Sequence, residues 1–483
     1  MLNPTSGVGI AEAGDVENQL LVYKLATPVT KSNRIRRGPR AVGTTGELWL
    51  WTGAGSGRIV DDAMPPALAS SADVAEVAAV ARAAGRLGID TEFMSEGRYR
   101  ALLCLVQVAV DVPSAQTGPR IILIDSVRGD VEVEPLAALL ADPAIEIVLH
   151  AGRQDVAILR RAWKTELTNI FDTQIAAGFA GASAQSGYGN LLGSMLGRRV
   201  GKTASYTRWD VRPLTAEQLS YAAEDVAHLL ELSDEIQRRL LESGRLEWAR
   251  EECRRLEAAT DERDPETAWE RLPRVGQLDS RSRAVAKELA AWRERTASSE
   301  DRPVSSVLAD PALVEIAKRR PSNNQGLENI RGVHPSGVKR RGEAIIAAIA
   351  RGLEGPPIPR DERRGVSDPA DAPLIALAEA LLRARAMDAG LAYELIASRS
   401  ELDLIVAAAR RGDPEPPVRT LGGWRRELVG VDLRELLAGR SAVAVGRGRR
   451  LELTPAPTRA QAETAASWDP APSSATSSGH ERT

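Results

Sequence analysis

Asp90 and Glu92 sit two positions apart in the run Arg86-Leu-Gly-Ile-Asp-Thr-Glu-Phe93, an apolar segment that reads as a core strand. In an extended strand, residues i and i+2 point to the same face, so both carboxylates leave one side of it. Two acids projecting together from a core strand are costly unless something neutralises them. A hard divalent cation held by oxygen ligands does so, and a pair of such cations can hydrolyse a phosphodiester. The spacing alone decides little. The chain carries 66 acidic residues, and Glu132/Glu134 and Asp264/Glu266 repeat the spacing without a comparable strand before them.

A second candidate lies in Val148-Leu-His-Ala-Gly-Arg-Gln-Asp155. Ile145 to Leu149 runs apolar, as a buried strand does, and Gly152 allows a tight turn. Asp155 then falls in the first turn of a helix with Val156, Ile158 and Leu159 on its apolar side. An acid at that position also serves simply as a helix-dipole partner. A third candidate is Leu219-Ser-Tyr-Ala-Ala-Glu-Asp-Val-Ala-His-Leu-Leu230, whose apolar residues recur at helical spacing. Tyr221 and Asp225 are i and i+4 and share one helix face, while Glu224 at i+3 competes for the same role.

Asp-Thr-Glu-Phe, Leu-His-Ala-Gly-x-x-Asp and Tyr-Ala-Ala-x-Asp, in this order, closely resemble the three exonuclease motifs of the ribonuclease D family. That family belongs to the DEDD superfamily of 3′→5′ exonucleases, in the branch with tyrosine in the third motif. Asp172-Thr-Gln174 and Trp209-Asp-Val-Arg-Pro-Leu214 are similar to it at matching places. The resemblance covers Ser71 to Leu256 and continues more weakly to Thr454. It implies that Asp90, Glu92, Asp155 and Asp225, rather than Glu224, are ligands of two divalent ions, Mg2+ or Mn2+. It also implies that the Tyr221 hydroxyl positions the attacking water. A histidine-type relative would carry His where Ser220 stands. After Lys202 the chain departs from the family, because Ser205-Tyr-Thr-Arg-Trp209 replaces a segment that usually carries an acid before the Trp. That leaves local substrate contacts open, not the metal site.

These residues need a scaffold to position them. The pattern suits a ribonuclease H-like α/β exonuclease domain followed by two helical domains. Strands are expected at Arg86–Asp90, Leu102–Val110, Ile121–Ile124, Ile145–Leu149 and near Ile170–Phe171. Helices are expected at Ala75–Ala84, Leu136–Leu140, Asp155–Trp163 and Ala216–Leu241. Short connectors between the first three strands suit antiparallel hairpins, and the helix-linked later strands suit parallel crossovers. Gln107 interrupts the second strand, either as a substrate contact or as a hydrogen-bonded strand-edge amide. Gly187-Tyr-Gly-Asn-Leu-Leu192 is either part of a substrate-groove wall or a helix-start loop.

The expected division is a disordered extension over 1–65, an exonuclease domain over 66–258 and a first helical domain over 264–354. A second helical domain over 366–454 and a disordered tail over 455–483 follow. The extension carries the basic cluster Lys31–Arg40, and Met64 offers an alternative start. Trp269, Trp292, Pro303, Leu308-Ala-Asp-Pro311, Pro321 and Ile330-Arg-Gly332 resemble the HRDC module, and Trp424-Arg-Arg426 with Leu433–Gly439 resembles its diverged second copy. Lys318, Arg319, Arg320, Lys339, Arg340 and Arg341 are candidate phosphate contacts there, equally readable as solvated helix faces. His150, Lys202 and Gln107 are further substrate-contact candidates nearer the carboxylates.

Composition bounds the rest. Two cysteines, Cys104 and Cys253, support neither a disulfide framework nor a zinc cluster. No apolar run suits a membrane span, and a cytoplasmic, monomeric enzyme is expected. A net charge of −3 means that any nucleic-acid surface must be local. The expected function is 3′→5′ removal of nucleoside 5′-monophosphates from RNA with a free 3′ end, in maturation of tRNA precursors and other small structured RNAs. A DNA exonuclease of the same superfamily and a non-catalytic RNA-binding protein are the alternatives. Four acids facing an anionic ligand argue against the last.

Overall fold

The structure, a computed structural model, describes residues 67–112, 118–199, 208–360, 368–413 and 415–456. The extension over 1–65 with its Lys31–Arg40 cluster, Met64, Lys202, Ser205 and the tail from 457 onward lie outside the described residues.

Helix α1 (Ser71–Ala84) starts at a Ser70–Asp73 capping box. Strands β1 (Arg86–Met94), β2 (Leu102–Val110) and β3 (Arg120–Asp125) follow as an antiparallel meander. Helix α2 (Glu134–Leu140), strand β4 (Glu146–Leu149), helix α3 (Arg153–Trp163) and strand β5 (Ile170–Asp172) then add two parallel strands on the other side of β1. The sheet order is β3-β2-β1-β4-β5, so the strand carrying Asp90 and Glu92 is central. The hairpins and crossovers match the expectation from connector length, since only a helix-sized connector returns a chain parallel.

One sheet face presents Leu87, Ile89, Val106, Val108, Ile122, Ile124 and Ile147 to α1, α2 and α3. Each such side chain, fully removed from water, contributes about 1.5–3 kcal/mol. The other face is covered by α6 (Ala216–Ala227) and α7 (Leu229–Glu242), which follow α4 (Thr173–Phe179) and α5 (Tyr188–Leu191). Gly88 sits where α7 comes closest: a Cβ there would stand 3.3 Å from a Leu229 methyl. By strand alternation, Asp90 and Glu92 share the face of Gly88, under these two helices.

Three local expectations change. Strand β1 runs on to Met94, and the register slips between Glu92 and Phe93, just past the acidic pair, leaving Cys104 of β2 as the extra residue of a bulge. The expected helix Ala216–Leu241 is two helices, because His228 leaves helical geometry (φ −118°, ψ 10°) and turns its backbone N–H toward Tyr188 Oη at 3.3 Å. Gln107 is not at a sheet edge: β2 lies between β1 and β3.

Helix α8 (Leu246–Arg254) ends the exonuclease portion. Helices α9 (Ser280–Ser299), α10 (Val304–Val307), α11 (Asp310–Arg319), α12 (Asn324–Glu328) and α13 (Pro335–Glu354) build a separate core around Val285, Leu289, Leu313, Leu327 and Ile345. Helices α14 (Ala372–Ala389), α15 (Tyr393–Ile396), α16 (Arg399–Arg410), α17 (Gly423–Arg425) and α18 (Val431–Leu437) do not. They share one core with α4, α7 and α8, in which Trp424 packs edge-on against Phe179 (5.0 Å) and stacks on Trp248 (5.3 Å). The second helical domain expected over 366–454 is not helical to its end, which is a hairpin of β6 (Ser441–Val445) and β7 (Leu451–Pro455). Ser441-Ala-Val-Ala-Val445 and Leu451-Glu-Leu-Thr-Pro455 pair across a Gly446-Arg-Gly-Arg turn, which breaks the helix pattern.

Candidate active site

Asp90 lies mid-strand in β1, beside carboxylates from two other elements. Its carboxyl is held well above the ordinary carboxylate range, first by burial and then by the negative charges of Asp155, Asp225 and Glu92. All four expected acids therefore act on one point, from one strand and two helices. Among the described residues, no three Asp, Glu, His or Cys side chains form a ready cation cage, so the four are electrostatic neighbours rather than a closed cluster.

Asp155 is 7 % exposed and accepts a hydrogen bond from the Thr91 hydroxyl. Its turn is built by tight backbone geometry. Ala151, not Gly152, takes the left-handed conformation (φ 55°) in this turn. Gly152 is needed for a different reason: a Cβ would stand 2.8 Å from that of Leu149. Asp172 pins this turn, accepting from the N–H groups of Ala151 (3.2 Å) and Gly152 (2.8 Å) while capping α4 through Gln174 (2.9 Å) and Ile175 (3.1 Å). In the sequence, Asp172-Thr-Gln174 stands out only as a likeness to the family. The readable signal was an acid directly before a helical run, an N-cap signature.

Helix α6 begins at a Thr215–Gln218 capping box and carries Tyr221 and Asp225 toward the sheet. The Tyr221 hydroxyl is pushed far above its usual pKa, by burial first and then by the charges of Asp225 and Glu92, with a hydrogen bond to Asp225 adding to the shift. Its ring stands 6.2 Å from that of the buried Trp209. Trp209 is held in turn by Arg212, which donates to its carbonyl (2.6 Å), to both Asp125 oxygens (2.5 and 2.6 Å) and to the Cys104 carbonyl (2.9 Å). Burial alone would raise the Asp125 carboxyl. Arg212 and two backbone donors outweigh it and hold the group below the ordinary range.

His150 follows β4 and packs against Tyr188 with ring centroids 5.5 Å apart. Thr173 gives its only hydroxyl proton to the Leu149 carbonyl (2.9 Å), so its oxygen accepts from His150 Nδ1 (2.9 Å). The proton therefore sits on Nδ1, and Nε2 is enclosed without a partner. Burial also lowers the His150 pKa against the opposing pull of Asp172, which keeps the ring neutral. Tyr188, from the expected groove-wall segment, has its hydroxyl pKa raised by burial first and also by the charges of Asp225 and Asp90, so this pair borders the acidic site.

The remaining contact candidates divide by exposure. Lys318, Arg319, Arg320, Lys339 and Arg340 are exposed, with Arg319 paired to Glu315 at 2.5 Å. Arg341 is a correction. It is 7 % exposed and spends its guanidinium on the Val307 carbonyl (3.2 Å) and Glu300 (2.6 Å), holding α13 to the turns around α10. Basic-run spacing could not separate Arg341 from Arg340, because one residue on a helix turns the side chain by about 100°. Gln107 is fully buried, and neither of its amide atoms has a partner.

The sequence matches a 3′-5′ exonuclease family model over residues 67–241 and an HRDC domain model over residues 282–349. It is 36% identical over 376 residues to a ribonuclease D of Acidiphilium cryptum, covering 76% of this chain and 92% of that protein. A ribonuclease D of Granulibacter bethesdensis is 35% identical over 397 residues, covering 80% of this chain and 96% of that one. The fold is similar to the crystal structure of Escherichia coli RNase D, described as an exoribonuclease involved in structured RNA processing, with a TM-score of 0.67 and 28% identity. That likeness covers 77% of this chain and 97% of the Escherichia coli enzyme.

Proposed function

The chain belongs to the ribonuclease D family and is a 3′→5′ exoribonuclease, and from this premise we propose how its residues carry the reaction. The observation that supports the reading is the convergence of Asp155, Asp225 and Glu92 on Asp90. Four oxygen-donor acids in one repulsive neighbourhood fit hard cations, which remove the repulsion and take carboxylate ligands. We read Asp90, Glu92, Asp155 and Asp225 as the residues that would hold two divalent ions, Mg2+ or Mn2+. Such ions supply Lewis acidity toward the phosphate and a lowered pKa for the attacking water.

The protein's own groups do the rest. Tyr221, on α6 and hydrogen-bonded to Asp225, orients the attacking water through its hydroxyl. Thr91 fixes the Asp155 carboxylate, and Asp172 fixes the turn behind it. Water attacks the terminal phosphorus, the bond from phosphorus to the 3′-oxygen breaks, and that oxygen takes up a proton. A nucleoside 5′-monophosphate leaves and a new 3′ end is exposed. The substrates are RNAs with free 3′ ends, tRNA precursors and other small structured RNAs among them. We take the enzyme to be monomeric and cytoplasmic. Among the described residues, no helix is long and apolar enough to cross a membrane.

The test is turnover of matched RNA and DNA oligonucleotides with free or blocked 3′ ends, by wild type, Asp225→Asn and Tyr221→Phe. Expected is stepwise release of 5′-monophosphates from free-ended RNA, loss of turnover in Asp225→Asn, and a slower single-turnover rate with unchanged affinity in Tyr221→Phe. Equal use of DNA, cleavage of blocked ends, or full activity of Asp225→Asn would overturn the reading.

A further inference from the structure

Gln107 has no structural reason to be an amide. It is fully buried in β2, an interior strand, among Leu105, Val106, Val108 and Ala109. Neither Oε1 nor Nε2 has a hydrogen-bond partner. A buried, unsatisfied carboxamide costs stability that Leu or Met would not, and buried polar groups are otherwise almost always paired. Its position in the register is specific. Gln107 is directly opposite Asp90 in the antiparallel β1–β2 pair, and Glu92 is opposite Leu105, one step along the same face. Residues directly opposite one another across a sheet project to the same side, close enough for their side chains to interact. The nearest polar partner along that rung is thus the Asp90 carboxylate.

We infer that Gln107 is a positioning residue for Asp90: its Nε2 donates to one Asp90 oxygen in the working enzyme and leaves the other oxygen directed at the site. The inference rests on the reading of Asp90 given above. The residue type suits the task better than its alternatives. Lys or Arg would neutralise the carboxylate and compete with a cation. Glu would add a fifth negative charge to a cluster that already repels itself. Leu or Met would let the Asp90 carboxylate rotate. An amide orients an anion without altering the charge of the site.

The full-length protein is compared as wild type, Gln107→Met, Gln107→Glu and Asp90→Asn. The measurements are melting temperature in EDTA, the rise in melting temperature with added Mn2+, and kcat and KM on a 3′-ended RNA oligonucleotide. Gln107→Met should melt no lower than wild type in EDTA. It should lose about ten- to hundredfold in kcat, the worth of one hydrogen bond to a charged group, with KM nearly unchanged. It should also need more Mn2+ for the same thermal rise. Wild-type kcat together with a wild-type Mn2+ midpoint would overturn the inference, and so would a large fall in melting temperature in EDTA in a Gln107→Met protein that still folds, which would mark a core amide satisfied by buried water. If Gln107→Met does not fold, Gln107→Glu decides: it must lower kcat and shift the Mn2+ midpoint, and a wild-type profile overturns the inference. Asp90→Asn separates the two claims. Activity in Asp90→Asn defeats the site reading itself, whereas an inactive Asp90→Asn beside a normal Gln107→Met defeats only the role of Gln107.

Discussion

Asp90 is placed where the fold disfavours its charge. Its folded pKa lies above the unfolded value, because burial and three neighbouring carboxylates oppose ionisation. A raised carboxyl pKa favours the protonated form in the fold. The stability it allows is complete below the unfolded value, about 3.9, and is lost as pH rises through the folded value. Cation-free protein should therefore lose stability as pH rises above the unfolded value, and Asp90→Asn should not lose that part. Other acids act in the opposite sense: Glu252, which burial would raise and Arg425 holds low, loses its contribution as pH falls. Comparing the two proteins cancels such common contributions. The measurement is melting temperature against pH in EDTA, where the advantage of Asp90→Asn should widen as pH rises. A constant difference across the range would mean that Asp90 does not sit in a repulsive cluster.

At the scale of elements, the site depends on packing far from it. Asp172 pins the β4–α3 turn, and its backbone N–H meets Cys253 Sγ of α8 at 3.3 Å. Helix α8 is in turn tied to the last helical segment through Arg425, which is fully buried and bidentate to Glu252 at 2.5 and 2.8 Å. Trp424 donates its indole N–H to the same carboxylate at 3.4 Å. Removing one member of a buried pair strands the other, so Arg425→Met should cost about 3–5 kcal/mol. Pairing it with Glu252→Gln should recover much of that loss. Urea unfolding followed by tryptophan fluorescence reads both. If Arg425→Met unfolds at the wild-type midpoint, the pair does not hold the segments together.

At the scale of the molecule, the first helical segment touches the catalytic hairpin directly. Tyr99, in the loop just after β1, donates its hydroxyl to Glu294 of α9 (2.9 Å) and its backbone N–H to Asp301 (3.2 Å). Arg98 pairs with Asp301 at 2.8 Å. Burial and then Glu294 push the Tyr99 hydroxyl up to about 12, so it remains a donor. That segment exposes Lys318, Arg320, Lys339 and Arg340 on a protein whose net charge is −3. Exposed cations of this kind fit binding to phosphates of a bulky RNA. Replacing the four with Ala should weaken binding of a folded RNA and leave cleavage of a short single strand intact. The log–log salt slope should flatten by about 0.7–0.9 for each phosphate that the variant no longer neutralises. Unchanged affinity and slope would make these residues a solvated face and nothing more.

The sequence by itself offered the candidate acids and their carriers, and the resemblance to ribonuclease D chose Asp225 over Glu224 among them. Strand alternation put Asp90 and Glu92 on one face, helical spacing joined Tyr221 to Asp225, and connector lengths implied the sheet's mixture of hairpins and crossovers. These features follow from local periodicity, which a linear pattern carries. What needed the tertiary structure depends on partners distant in the chain. Gln107 is an anomaly only because β3 covers the far side of β2, and Arg341 is a structural residue only because Glu300 and Val307 lie beneath it. Asp172 became the anchor of the Asp155 turn through two N–H groups 20 and 21 residues earlier. The shared core of α4, α7 and α8 with the last helical segment joins Arg425 to Glu252, 173 positions apart in the chain and beyond the reach of periodicity.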